Sequence, residues 1–299
     1  MRNLFIVLIS LITINGFALP PALADSNAGL SIEDAASVEE AVERITAILE
    51  KQGFDIVLVV NHAAAAASID PPQELRPTQV IFARQPLIFE RLTRKRSDTI
   101  ALDLPLKFLV YEDADEEIQV ISNPVGYLLD RHDIKIKDPV LRLLQLSVNK
   151  FGDPDSGLVA IKSTRTLAET VESLKAEIES RAPAGFRIPL VLDFGKYDYD
   201  RGSKRRHRDN LPQQVLIVFG NPNVGTPLMQ ADQRIGLNLP QTYLVSEDKE
   251  GRVSILWNDP FFKAECCNIQ GQNERLAAIA AALHAIAEIG ADIPPKADD

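Results

Sequence analysis

The feature that most constrains this chain is that it is written twice. Leu102-Asp103-Leu104-Pro105 recurs as Leu237-Asn238-Leu239-Pro240, and Tyr111-Glu112-Asp113 recurs as Ser246-Glu247-Asp248, at an offset of 135 in both cases. A constant offset between distant landmarks marks a duplicated domain, which has to be recognised before any fold class is argued. With 299 residues, of which 45% are hydrophobic, the chain has room for two domains of ordinary size.

Each copy carries the same succession of local patterns. The first opens on Gly29-Leu30, places Val38, Ala41, Val42, Ile45, Ile48 and Leu49 at helical spacing, and passes Gly53-Phe54 before the strand-like stretch from Ile56 to Val60. The second opens on Gly157-Leu158, places Leu167, Val171, Leu174 and Ile178 at the same spacing, and passes Gly185-Phe186 before Ile188 to Leu192. Such spacing puts one apolar stripe on each helix, and Ser37 and Thr166 stand where N-caps belong. Gln79 to Phe82 and Val215 to Phe219 read as buried strands. Alternating stretches on either side of Glu112-Asp113 and Glu247-Asp248 read as hairpins with acidic turns.

Helices are expected over Val140 to Val148 and Leu276 to Ile289, and the Phe151 to Gly157 stretch has linker chemistry. The expected fold class is α+β: two related small domains, each a mixed or antiparallel sheet packed with helices, arranged as a pseudo-dimer. The expected division is a signal peptide over residues 1–24, a first repeat over 25–135, a linker with a helix over 136–156, a second repeat over 157–270, and a C-terminal helix and tail over 271–299.

These landmarks together resemble the domain of unknown function 302 family. That pattern joins a Gly-Leu strand, a Ser-capped helix, Gly-Phe, an Asp-His or similar pair before Ala, a Pro-Thr-x-Val strand, a Phe-Gly-Asn-Pro-x-x-Gly-Thr turn, Leu-Pro and an acidic hairpin. The resemblance spans nearly all of residues 29–270 and implies a compact α+β domain, often dimeric, with no established activity. The two copies depart from it in opposite ways. Repeat one keeps Asn61-His62, the Ala63 to Ala67 run and Arg76-Pro77-Thr78-Gln79-Val80, but reads Phe82-Ala83-Arg84-Gln85-Pro86 in place of the Gly-Asn-Pro turn. Repeat two keeps Phe219-Gly220-Asn221-Pro222-Asn223-Val224-Gly225-Thr226, but has Asp193 to Asp200 and a basic run where the histidine segment belongs. Only a site shared between the repeats holds both parts.

The amino terminus has a charged start at Arg2, an apolar run from Leu4 to Ile12 broken by Ser10, and Ala22-Leu23-Ala24. These are the three parts of a secretory signal peptide, and the apolar run falls short of the roughly 20 residues a spanning helix needs. The expectation is a secreted or periplasmic protein with no transmembrane span in the mature chain, a monomer by virtue of its internal pseudo-dimer.

Candidate sites follow from the departures. At Gly220 to Thr226, Thr226 as N-cap and Pro227 at the first helical position would leave backbone N–H groups able to hold an anion; the plainer reading is a tight turn and a cap. His62 is the best-placed residue for proton transfer, since imidazole titrates nearest neutrality, against a structural histidine at a strand end. Cys266-Cys267 is an unusual pair in an exported protein. Adjacent Cα atoms lie about 3.8 Å apart, short of the roughly 4.4–6.8 Å of ordinary disulfides, so a vicinal bridge would be strained and reducible, and two buried thiols or an intermolecular bridge are the plainer alternatives. Residues Lys204 to Arg208 and Arg91 to Arg96 concentrate positive charge and suit an anionic partner, or simply a solvated face. The formal charge of -10 argues against nucleic acid as that partner. No ligand spacing points to a metal, and no cofactor is implied.

The leading expectation is therefore a non-catalytic module binding a small or anionic ligand between its repeats through His62, Gly220, Asn221, Gly225 and Thr226. The alternatives are an enzyme, by thiol redox at Cys266 and Cys267 or acid–base chemistry at His62, and a structural or partner-binding protein.

Overall fold

The computed structural model describes residues 35–84, 99–123, 127–128, 131–132, 157–195, 213–265, 267 and 269–294. Repeat one contains α1 (Val38–Lys51), β1 (Asp55–Asn61), α2 (His62–Ala67), β2 (Thr78–Arg84), a 3-10 turn (Ile100–Asp103), β3 (Leu106–Glu112) and β4 (Ile118–Ser122). Repeat two contains β5 (Leu158–Lys162), α3 (Leu167–Ser180), β6 (Arg187–Asp193), β7 (Gln213–Gly220), α4 (Pro222–Ala231), a 3-10 turn (Gln233–Asn238), β8 (Gln241–Glu247), β9 (Val253–Asn258), α5 (Pro260–Glu265) and α6 (Asn273–Ala291). The expected signal segment, the opening of repeat one, the 140–148 helix, the linker and both basic runs lie outside the described residues.

Local chemistry accounts for the helix starts. Ser37 Oγ accepts from Glu40 N–H at 3.2 Å, while Thr166 and Glu169 form a reciprocal capping box. The strands form two sheets, β1-β2-β3-β4 and β5-β9-β8-β7-β6, with antiparallel pairing throughout. The duplication extends to irregularities: the register shifts between Ile56 and Leu58 in one sheet and between Arg187 and Leu190 in the other. The Leu104-Pro105 and Leu239-Pro240 bonds are both cis.

Strand alternation then decides the layers. Ile81, Ala83 and Val110 turn toward α1, where Val38, Ala41, Val42, Ile45 and Leu49 form its buried stripe. Their neighbours Val80, Phe82 and Leu109 turn the other way and share a core with Leu192, Leu216, Val218, Leu244 and Leu256 of the second sheet. The far face of the second sheet, including Ile217, Tyr243, Ile255 and Trp257, packs on α3 and α6. The order is helix, sheet, sheet, helices, the pseudo-dimer expected of a duplicated α+β domain. Both faces of each sheet are covered, which is why the centres of β2 (Val80 to Ala83) and β7 (Val215 to Phe219) are unbroken apolar runs.

Candidate functional site

The two halves of the divided motif meet at one cleft. Its volume is about 990 Å³, and its walls come from both repeats: Val60, His62, Ala65 and Ser68–Asp70 from the first, and residues 181–187, 219–226 and one face of α6 from the second. His62, Gly220, Asn221, Gly225 and Thr226 all line it.

His62 opens α2, whose cap is the preceding residue: Asn61 Oδ1 accepts from Ala64 N–H at 2.8 Å. The imidazole is buried at 5% exposure, and its Nε2 makes no hydrogen bond. Burial pushes its pKa down to about 4, against a partial opposing pull from the Gly236 and Leu239 carbonyls. It is therefore neutral at neutral pH, with one ring nitrogen unengaged. The 3-10 turn of repeat two lies close against it. A Cβ at Gly236 would come within 3.0 Å of Leu109 and 3.6 Å of the His62 ring, so glycine permits that approach.

The Gly-Asn-Pro turn corrects one expectation. The N-cap of α4 is Asn221, not Thr226, because the helix begins at Pro222. Asn221 Oδ1 accepts from Asn223 N–H at 3.0 Å, and the Val224 and Gly225 N–H groups both bond the Asn221 carbonyl at 3.0 Å. The donors expected to hold an anion are thus spent inside the turn. Asn221 Nδ2 is also spent, on the Ala184 carbonyl at 2.8 Å. There Gly185, at φ +100°, brings its backbone so close that a Cβ would lie 2.7 Å from Asn221 Oδ1. Thr226, displaced into the helix by one turn, is fully buried, and its Oγ1 has no hydrogen-bond partner. Pro227 follows it within the helix rather than at its start.

The remaining walls were not legible as a site. Phe186, Phe219, Leu228, Met229, Leu239, Ile279, Leu283 and Ile286 make them apolar, while Arg181, Arg187 and Arg275 stand among them with Asp70 as the single carboxylate among the described residues. Arg181 is paired with Glu177 at 2.6 Å. Among the described residues, Arg187 bonds the Ala182 and Phe186 carbonyls, and Arg275 bonds Gln272 Oε1.

A second polar cluster, also missed, sits where the two sheets join. Asp103 Oδ2 receives His132 Nε2 at 2.8 Å and Arg131 at 3.3 Å. Thr99 Oγ1 meets His132 Nδ1 at 2.7 Å, and Arg131 donates to Asn258 Oδ1 at 2.5 Å. Burial alone would raise the Asp103 carboxyl, but Arg131, His132 and Lys107 hold it well below the usual carboxylate range. Lys107 is buried over the Phe82 ring, and burial brings its pKa down to about 8. The available signal was the copy comparison: at the offset of 135, Asp103 and Lys107 face Asn238 and Thr242, so the two charges are present together in one copy and absent together from the other. The cluster is sealed, with the His132 side chain at 0% exposure, so it fastens the interface instead of meeting a substrate.

Cys267 is buried in the second core, an environment that suppresses thiol reactivity; Cys266 lies outside the described residues.

The model for Domain of unknown function DUF302 matches residues 30–150 and again 159–290. The chain belongs to the DUF302 family. It is a tandem DUF302 protein, with one domain in each stretch. A crystal structure of an uncharacterized conserved DUF302 protein from Bacillus stearothermophilus is similar at 19% identity with a TM-score of 0.38, covering 45% of this chain and 98% of that one. Among curated proteins, Fluoride-specific ion channel FluC 1 of Brucella suis biovar 1 is 40% identical over 111 residues, which are 37% of this chain and 40% of the relative. Fluoride-specific ion channel FluC 1 of Brucella abortus biovar 1 matches at 40% identity over 111 residues, 37% of this chain and 38% of its own length. The tandem DUF302 chain thus spans about two fifths of the curated relatives it matches.

Proposed function

We propose that this chain is an exported, non-catalytic module that holds a small molecule in the cleft between its two DUF302 domains. One observation carries the reading: the motif parts that survive in opposite repeats, His62 from the first and the Gly220 to Thr226 turn from the second, line one cleft of about 990 Å³. A mostly apolar cavity of that size with a few polar groups on its walls is the usual form of a small-molecule site. A histidine held neutral down to about pH 4 is a poor general base at neutrality, which favours binding over acid–base chemistry. Export rests on the Arg2, Leu4–Ile12 and Ala22-Leu23-Ala24 pattern. Fluoride conduction stays with the Brucella relatives: the shared stretch is a minor part of them, and no described helix is long and apolar enough to cross a membrane.

The test uses the neutral apolar fluorophore N-phenyl-1-naphthylamine. Saturable binding at one site per chain is expected, and Ala282→Trp, which places an indole on the α6 wall, abolishes it. Absence of saturable binding, or binding that survives Ala282→Trp, overturns the reading.

A further inference from the structure

Building on that reading of the cleft, we infer that its occupant is a free amphiphilic acid, with an apolar body against α4 and α6 and its acid group at Arg187 and Arg275. Leu228, Met229, Ile279 and Leu283 make the interior a surface that wet, compact ions do not favour. Charge complementarity supplies the other half. On a chain of net charge -10, the described residues of the cleft include three arginines and one aspartate. Among the described residues no carboxylate pairs with Arg187 or Arg275: Arg187 uses Nη1 on backbone carbonyls, and Arg275 uses Nε on Gln272 Oε1. The guanidinium edges left over are donors in a fork that matches a carboxylate. The helix end that would otherwise compete for the anion has its N–H groups occupied by Asn221.

Dodecanoate, dodecan-1-ol and dodecyltrimethylammonium share one body and differ in head group, so they separate this inference from the cleft reading. In displacement of N-phenyl-1-naphthylamine from the full chain, dodecanoate is expected to compete about tenfold more tightly than dodecan-1-ol, the discrimination of one charge-assisted hydrogen bond. The ammonium competes least. Raising the salt concentration narrows the gap, and the double variant R187A/R275A closes it. Equal competition by acid and alcohol in the parent chain, or a gap that persists in the double variant, overturns the acid while the probe's saturable binding leaves the cleft reading standing. Failure of the probe itself removes both. Sedimentation with phosphatidylglycerol vesicles that Ala282→Trp abolishes would assign the cleft to a bilayer lipid and also overturn the free acid.

Discussion

Asn258 Nδ2 donates to Asp103 Oδ1 at 3.2 Å across the boundary between the repeats, bridging positions 155 apart in sequence. The carboxylate so held is the counter-charge for Arg131 and Lys107, both buried. Asp103→Asn, which copies the residue present at Asn238, removes that counter-charge while keeping a shape the duplicated segment already accepts. The expected loss is about 3–5 kcal/mol of unfolding free energy, the usual result of stranding buried charge. Adding Lys107→Thr, the residue found at Thr242, should restore part of it. Urea unfolding decides: a neutral Asp103→Asn, or no recovery in the double variant, contradicts the electrostatic account. The folded pKa of Asp103 is depressed, so its contribution is complete above the ordinary carboxylate range and is lost as pH falls through that range and below.

His62 sets a different acid window. Its folded pKa of about 4 lies below the ordinary value of 6.5, so the folded state binds fewer protons than the unfolded one between those values. Stability is unaffected above pH 6.5 and declines by about 3 kcal/mol as pH falls toward 4. His62→Phe should flatten this part of the profile. Direct proton NMR titration gives the independent check, and an imidazole midpoint near 6.5 for His62 would refute the burial argument.

Thr226→Val replaces a buried hydroxyl that bonds nothing by a methyl group of the same shape. Without ligand the variant should be more stable by about 1 kcal/mol, since an unsatisfied polar group no longer has to be buried. A variant less stable than the parent by calorimetry would mean the hydroxyl has a partner in the folded chain.

At Gly290 α6 packs tightly on α3: a Cβ there would sit 2.4 Å from Leu174 Cδ2 and 2.6 Å from its Cγ. Gly290→Ala should destabilise by about 1–3 kcal/mol through overpacking. Combined with Leu174→Ala, the loss should fall short of the sum of the two single losses, because the second change vacates the space the first invades. Strict additivity would show that the two residues do not share that space.

Much of this was legible because it is short-range. Apolar residues at helical spacing placed α1 and α3, Ser37 and Thr166 marked their starts, and unbroken apolar runs marked β2 and β7 as strands covered on both faces. The cap of α4 was misread because both Asn221 and Thr226 are good capping residues, and choosing between them required knowing that the chain turns into helix at Pro222. The arginines of the cleft carried no local signal, since a lone arginine on a strand or helix is most simply a solvated one.

The sequence by itself determined that there are two copies, what elements each contains, and that His62 and the Gly220 to Thr226 turn survive in opposite copies. Those facts are written in periodicity and spacing along the chain. Only the tertiary structure decided that the two sheets stack, which brings the surviving parts to one cleft and leaves His62 Nε2 and Thr226 Oγ1 buried without partners, while Asp103 finds Arg131, His132 and Asn258. Burial and hydrogen-bond satisfaction belong to the packed arrangement: each depends on which distant segment arrives opposite a side chain, and that is settled when the two sheets close over their common core.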